Sequence, residues 1–418
     1  EIGGNYQALA VYDQASEWYE RYAKEDKTGE QADDALKDAV LLRLGTGDEV
    51  KAIEDAALFQ RNYGQSKPKT AAQIAFSIGA HYADKEQWEY CSNSLKGVMG
   101  LISKAGIDVE VQAHATLGRC YQHQKGDTGA RAEFAKVRSL WADQAAAQKK
   151  LMEKDYPDES QDSKIRRLGK ALDAVGEAIF YDADEHKRAD VDVIRFPEYH
   201  GSGKKDDVLK HVTGKVADWM KKKSAAIVKL EAEYKKIIDL QPEPPPRWVI
   251  AAGSRVGLLW GDFVDDFRRA PYPKDWDKKG CAVACGTADE LSWRDIKLNY
   301  FNNLDSASQP FKDGSAMLDG KRVGAKPALV ACLDYSVKYQ YFDDYSRACE
   351  VWLAKNYKAE YHVVDELRGA PTLSNSGLED RPPPLVLGGG VYHAPASVEA
   401  KPTQPTNTTT ATPNGAKK

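Results

Sequence analysis

A helical hairpin with fixed internal spacing recurs in the N-terminal part of the chain, and this recurrence limits the fold more than any other feature. Gly118 and Tyr121 are three residues apart, so they share one face of a predicted helix. After a glycine-aspartate turn, Ala130, Phe134 and Val137 form an apolar face at spacings of four and three. Two short helices joined by a tight turn make an αα-hairpin. We expect Phe134 to fill the space between this hairpin and the next.

The same pattern occurs 39 residues earlier, starting at Gly79. In this earlier unit Tyr82 follows the glycine at the same spacing, and Cys91, Leu95 and Val98 take the apolar positions of the second helix. The interval is longer than the tetratricopeptide period of about 34 residues, but the spacing within the unit agrees. A helical bundle with chance spacing is the alternative interpretation.

A more degenerate unit precedes these two and has its turn at residues 45–48, followed by Ala52, Ala56 and Phe59 on its second helix. Together the three units predict an all-α fold: a helical-repeat solenoid of the tetratricopeptide (TPR) type. Periodicity, proline-rich breaks and composition divide the chain into four predicted regions. These are helical repeats at 1–140, a long helical hairpin at 141–245, a second helical repeat region at 246–370, and a disordered Pro/Thr/Gly-rich tail at 371–418.

The long hairpin contains the most lysine-rich stretch of the chain. Residues 204–236 carry ten lysines against five acidic residues. A solvated lysine face is the simpler interpretation, and contact with an acidic partner or a phosphate-rich surface is the alternative.

The six cysteines are spaced so that each can pair with a near neighbour in a hairpin or a short loop. Six cysteines allow 15 connectivities, so local pairing is a structural hypothesis. Disulfides would indicate an oxidising compartment and an exported protein, whereas buried reduced thiols would fit a cytosolic one. We favour disulfides, and the local pairs are Cys91–Cys120, Cys281–Cys285 and Cys332–Cys349.

Charge and hydropathy exclude some partners. The formal net charge of −4 gives no overall attraction toward nucleic acid or anionic membranes. Mean hydropathy is −0.60, and no apolar run approaches the roughly 20 residues of a membrane-spanning helix. No signal peptide is recognisable, so the expectation of an exported protein depends on the cysteines.

Three stretches resemble large TPR proteins of myxobacteria and their relatives: AAQIAFSIGAHYADKEQWEYCSNSLKG, PPPRWVIAAGSRVGLLWGDFVDDFRRAPYPKDW and YFDDYSRACEVWLAKNY. The likeness covers roughly residues 5–370. Proteins of that group are generally envelope-associated, and some belong to the gliding-motility machinery. The resemblance implies a repeat scaffold of the cell envelope, in a periplasmic or outer-envelope location, and supplies no catalytic motif.

Motifs for catalysis or metal binding are weak. The HGSGKK stretch at residues 200–205 resembles the end of a phosphate-binding loop of the pattern GxxxxGK[ST]. Aligned on Gly203 and Lys204, that pattern requires a glycine at position 198, which is Glu198 in this chain. Cys281 and Cys285 have CxxxC spacing instead of the redox CxxC, and no second ligand pair follows at zinc spacing. The histidines are scattered. We therefore predict no catalytic residues, no metal site and no cofactor.

Stacked hairpins expose a surface lined by the first helix of each unit, where a partner segment can lie. The predicted partner-binding residues are aromatic, basic or polar: His81, Tyr82, Arg119, Gln122 and His123. The leading hypothesis is a non-catalytic protein–protein interaction scaffold of the bacterial envelope that binds other envelope proteins, with a self-assembling homo-oligomer as a variant. A periplasmic ligand- or peptide-binding module is the alternative, and an enzyme is less favoured.

Overall fold

A computed structural model describes residues 1–153, 159–201 and 204–363. Residues Glu1–Tyr361 form one compact unit, and a second unit begins at His362. The predicted disordered tail at 371–418 lies outside the described residues.

The N-terminal half consists of successive helices that pack against their neighbours in sequence, as the all-α prediction expected. The helices are α1 (Ile2–Ala8), α2 (Tyr12–Glu25), α3 (Ala32–Thr46), α4 (Glu49–Tyr63), α5 (Pro68–Asp84), α6 (Trp88–Lys96), α7 (Met99–Ile102), α8 (Ile107–His123), α9 (Asp127–Leu140), α10 (Gln144–Met152) and α11 (Gln161–His186). The pairs α3–α4, α5–α6 and α8–α9 are the three hairpins that the sequence predicts.

The glycines of the repeated pattern let the two helices of a hairpin approach closely. A Cβ atom on Gly79 would lie 2.3 Å from Leu95, and a Cβ atom on Gly118 would lie 3.1 Å from Phe134. Both large side chains are fully buried. Phe134 also stacks on Tyr181 of α11 with ring centroids 4.4 Å apart, so it joins its hairpin to α11.

A buried ion pair fastens the first of these hairpins. Arg43 of α3 and Asp55 of α4 are 2% and 1% exposed and form a hydrogen-bonded salt bridge. Arg43 also donates a 2.6 Å hydrogen bond from Nη2 to Glu20 of α2. One guanidinium therefore connects three consecutive helices.

The lysine-rich stretch forms one continuous helical segment. It consists of α12 (Lys205–His211), a π-helical turn (Val212–Val216) and α13 (Ala217–Lys235). The prediction of a long helix here agrees with the structure, except that the π turn interrupts its regular pattern. Its expected partner α11 contacts α13 but also packs directly on α8 and α9.

The C-terminal part has a large apolar core around Trp260. Trp260 is 1% exposed, and its ring contacts those of Phe263 and Phe311 with centroids 5.8 and 5.7 Å away, while these two rings also contact each other at 4.9 Å. The remaining helices of this part are α14 (Pro246–Arg268), α15 (Trp293–Asp313), α16 (Ala325–Tyr339) and α17 (Asp344–Asn356).

Two short antiparallel hairpins interrupt this otherwise helical part, and the all-α prediction did not include them. Strands β1 (Cys281–Val283) and β2 (Leu291–Ser292) pair beside the cysteine loop. Strands β3 (Ala316–Leu318) and β4 (Lys321–Val323) are joined by Asp319 and Gly320. Both turn residues have positive φ (48° and 76°), which is the backbone of a two-residue Asp-Gly hairpin turn.

All six cysteines are paired, in the three local pairs that the sequence analysis favoured: Cys91–Cys120, Cys281–Cys285 and Cys332–Cys349. The first and third disulfides join neighbouring helices, and their four cysteines are fully buried. The second lies in the β1–β2 loop, where Cys285 is exposed. None of the described helices combines the length and apolar character needed to cross a membrane.

Candidate binding groove

Helices α5 and α8, the first helices of two hairpins, lie beside α11, and these three helices line a groove of about 450 Å³. We call it the inner groove. Its lining combines apolar and neutral polar residues with three cations and one acid: Phe76, Gln112, Ala115, Thr116, Arg119, Arg166, Gly169, Lys170, Asp173 and Ala174.

Arg119 lines the inner groove and is held in a fixed orientation by Glu177. It donates hydrogen bonds from Nε (2.6 Å) and Nη2 (2.5 Å) to the two carboxylate oxygens of Glu177 on α11. Burial opposes the charge of Arg119, but these hydrogen bonds outweigh it and raise the pKa of Arg119 above its ordinary value. The bidentate geometry uses one edge of the guanidinium, so Nη1 stays available for a ligand.

The remaining charges leave the groove positive. Arg166 and Lys170 are exposed on consecutive turns of α11, and neither makes an ion pair with any described residue. Burial and the nearby carboxylate of Glu177 raise the pKa of Asp173. Because Glu177 is already paired with Arg119, two free cations face one acid at the rim, and the groove favours an anionic segment.

Three further residues, Thr116, Gly169 and Phe76, give the groove a surface that a partner could recognise. Thr116 is only 7% exposed, lines the groove, and makes no hydrogen bond with any described residue. Gly169 leaves open space, since a Cβ atom there would meet no atom within 4 Å. Phe76 supplies an aromatic wall from α5. Aromatic and arginine side chains are the usual anchors of protein interfaces.

The structure places only one of the five predicted partner-binding residues, Arg119, in the inner groove. His81 lies at the end of α5, with Nε2 2.9 Å from the carboxylate of Glu49. Gln122 and His123 are exposed at the end of α8, and the His123 ring stacks on Trp88 with centroids 3.9 Å apart. Their participation in partner binding stays a prediction.

Tyr82 faces a different recess, between α4, α5 and the segment from α6 to α7. This recess has a volume of about 520 Å³ and is mainly apolar, with Ile53, Ile74, Ile78 and Leu101 among its lining residues. Tyr82 is 8% exposed, so it contributes more to the packing of its hairpin than to a free surface.

Sequence reasoning did not identify Arg166, Lys170, Thr116 and Phe76. The signal for the first two was present in RRLGKALDA, where Arg166 and Lys170 are four residues apart and share a helix face. That stretch was assigned to the long hairpin, because no repeat pattern identifies α11 as the next first helix. The packing of α11 on α8 is what brings these cations to Arg119.

The described residues contain no cluster of three or more His, Cys, Asp or Glu side chains that could hold a metal ion. No protein-family model matches the chain. None of the curated proteins compared with it shows significant sequence similarity. The site must therefore be interpreted from its own geometry and charge.

Proposed function

We propose that this chain is a non-catalytic interaction scaffold of the bacterial cell envelope, built from TPR-like hairpins, and that it holds acidic segments of partner proteins in the inner groove. The observation that carries the proposal is the combination of Arg119 on α8 with Arg166 and Lys170 on the adjacent α11, beside the aromatic ring of Phe76 on α5. An extended or helical partner segment can contact all three helices at once.

The disulfides support the proposed compartment. Three disulfides and no free cysteine fit an oxidising environment, where such bonds persist. The place of the chain in a multi-protein envelope or motility complex follows from the family resemblance and belongs to the same proposal.

The alternative, a module for small ligands, has less support. Small-molecule sites bury most of the ligand surface. In the inner groove Arg166, Gly169 and Lys170 are all exposed, so a small ligand would stay largely in contact with water. A longer segment that continues past the rim suits this shape better.

Charge reversal at the rim tests the proposal. The double substitution Arg166→Glu with Lys170→Glu is expected to weaken binding of a fluorescent peptide of alternating Leu and Glu at least about tenfold, equivalent to about 1.4 kcal/mol. Wild-type binding should weaken with added salt, because exposed charges are screened. Fluorescence anisotropy measures both effects, and a Leu-Lys peptide serves as the opposite-charge probe.

The matched control is Arg61→Glu with Lys96→Glu, two exposed cations outside the groove that make no ion pair with described residues. It changes the net charge equally and should leave binding near wild type. A second variant, Gly169→Tyr, fills the groove sterically and should reduce binding, whereas Gly45→Tyr on exposed open space of α3 should not. Equal effects of groove and control variants would contradict the proposal.

A further inference from the structure

Four lysines form a row along the long helical segment that runs from Lys205 to Lys235; the last of the four, Lys236, directly follows the end of α13. Lys215, Lys222, Lys229 and Lys236 follow one another at intervals of seven residues, and all four are exposed. Seven residues are nearly two helical turns, so these side chains share one face over roughly 30 Å. We call these four residues the lysine row.

The lysine row is not used to hold the fold together. None of its four members makes an ion pair with any described residue. The contrast is Lys223 on the same helix, which is 9% exposed and donates a 2.6 Å hydrogen bond to Asp266 of α14. The buried lysine therefore forms an ion pair within the chain, whereas the four lysines of the row are available to bind a partner outside it.

Nearby acids neutralise the row only in part. Asp218 lies between Lys215 and Lys222 on the same exposed face, and Asp190 shares a small recess with Lys229. Glu233 approaches the same recess, but its carboxylate lies 2.5 Å from Nδ1 of His186. Two more exposed lysines, Lys221 and Lys235, add to the positive charge of the helix.

The charge is concentrated on this helix and is not a property of the whole chain. Ten lysines against five acids lie within residues 204–236, while the complete chain has a formal net charge of −4. We propose that the lysine row binds a linear polyanion, a flexible chain that carries regularly repeated phosphate or carboxylate groups. The row matches such a chain in sign, in its straight course and in its lack of competing ion pairs.

The surroundings of the row favour a linear polymer over a membrane surface. Helices that lie in a membrane interface present Trp, Phe or Leu beside their lysines. The other exposed positions between the lysines include Asp218, Ala225 and Ala232, and Trp219 is buried against Phe263. Without an exposed aromatic side chain in the row, base stacking on a nucleic acid strand has no platform either.

The test compares the full chain with the variant in which all four lysines of the row are replaced by glutamine. Affinity for long-chain inorganic polyphosphate and for polygalacturonate is measured by isothermal titration calorimetry at several salt concentrations. We expect the wild type to bind at least one of the two polymers, and comparison of the two tells phosphate from carboxylate recognition. The substitution should lower affinity at least about tenfold and reduce the magnitude of the slope of log affinity against log salt by about three, since neutralising each phosphate on a flexible strand contributes about 0.7.

The matched control replaces four exposed lysines elsewhere, Lys104, Lys136, Lys149 and Lys150, by glutamine and has the same net charge. It should bind as the wild type does, and so should the groove variant Arg166→Glu with Lys170→Glu. Absence of polymer binding would overturn the proposal. Equal losses in both glutamine variants would also overturn it, as would binding to phosphatidylglycerol vesicles without binding to either polymer.

Discussion

Replacing Arg43 by methionine is expected to lower the free energy of unfolding by about 3–5 kcal/mol at pH 8, the usual cost of leaving one partner of a buried ion pair uncompensated. The substitution leaves Asp55, which is 1% exposed, without its guanidinium partner. Chemical denaturation followed by circular dichroism measures the change. The double variant Arg43→Met with Asp55→Leu should recover most of the loss, because no uncompensated charge then stays buried.

The pH dependence of this cost has a definite sign. Burial raises the pKa of Asp55 to about 7, against the attraction of Arg43. A carboxyl group whose folded-state pKa exceeds its unfolded value contributes less stability as pH rises from about 4 to about 7. Removing Arg43 extends this window upward, since the strongest attraction that lowers the pKa of Asp55 is then lost and only the weaker one of Lys24 stays. The cost of Arg43→Met should therefore be smaller at pH 5, where Asp55 binds a proton.

A surface arginine provides the control for this experiment. Arg21 is 60% exposed in its side chain and pairs with Glu25 one turn away. Surface pairs of this kind contribute less than about 1 kcal/mol, so Arg21→Met should have little effect. If Arg43→Met were equally mild, or had the same cost at both pH values, the buried pair would not hold the first hairpin as described.

Graded reduction with dithiothreitol is expected to open the Cys281–Cys285 disulfide at least about a thousandfold faster than the other two. Cys285 is exposed in the β1–β2 loop, whereas Cys91, Cys120, Cys332 and Cys349 are fully buried. A thiolate can reach buried sulfur only after an opening that costs several kcal/mol, and each 1.4 kcal/mol is a factor of ten. Alkylation of the released thiols followed by peptide mass spectrometry gives the order.

The same experiment in denaturant supplies the control, since all three disulfides should then be reduced at similar rates.

Loss of either helical disulfide is also expected to lower the stability of the fold more than loss of the loop disulfide. Closing a loop of about 15 residues or more stabilises a protein by about 3 kcal/mol, and the two helical pairs are separated by 29 and 17 residues. The loop pair is separated by 4 residues and should stabilise the fold less. Simultaneous reduction of all three disulfides in the native protein would contradict the burial of the helical pairs.

The hairpins could be predicted because their information is local. A glycine three residues before a tyrosine, and a large apolar residue at a fixed distance beyond the turn, place Gly79 opposite Leu95 and Gly118 opposite Phe134. Cysteine pairing was equally local. The β3–β4 hairpin also had a local signal, the Asp319-Gly320 turn, but residues 246–370 were predicted to form helical repeats throughout.

The inner groove could be predicted only in part, because its residues come together through tertiary packing. Arg119 was recognised from its place in a repeat. Arg166 and Lys170 lie on α11, whose sequence does not repeat the hairpin pattern, and they reach the groove because α11 packs on α8. Sequence periodicity predicts which face of a helix is buried, but it does not predict which other helix packs against that face.

The central claim, that the inner groove receives a partner protein, is tested most directly by photo-crosslinking in the cells that produce the chain. A benzoylphenylalanine residue replaces Gly169, where the structure leaves open space, or Gly45 as the control. We predict a discrete protein adduct at position 169 that is absent at position 45 and is lost when Arg166→Glu and Lys170→Glu are introduced. No adduct at position 169, or an adduct indifferent to the charge reversal, would contradict the account.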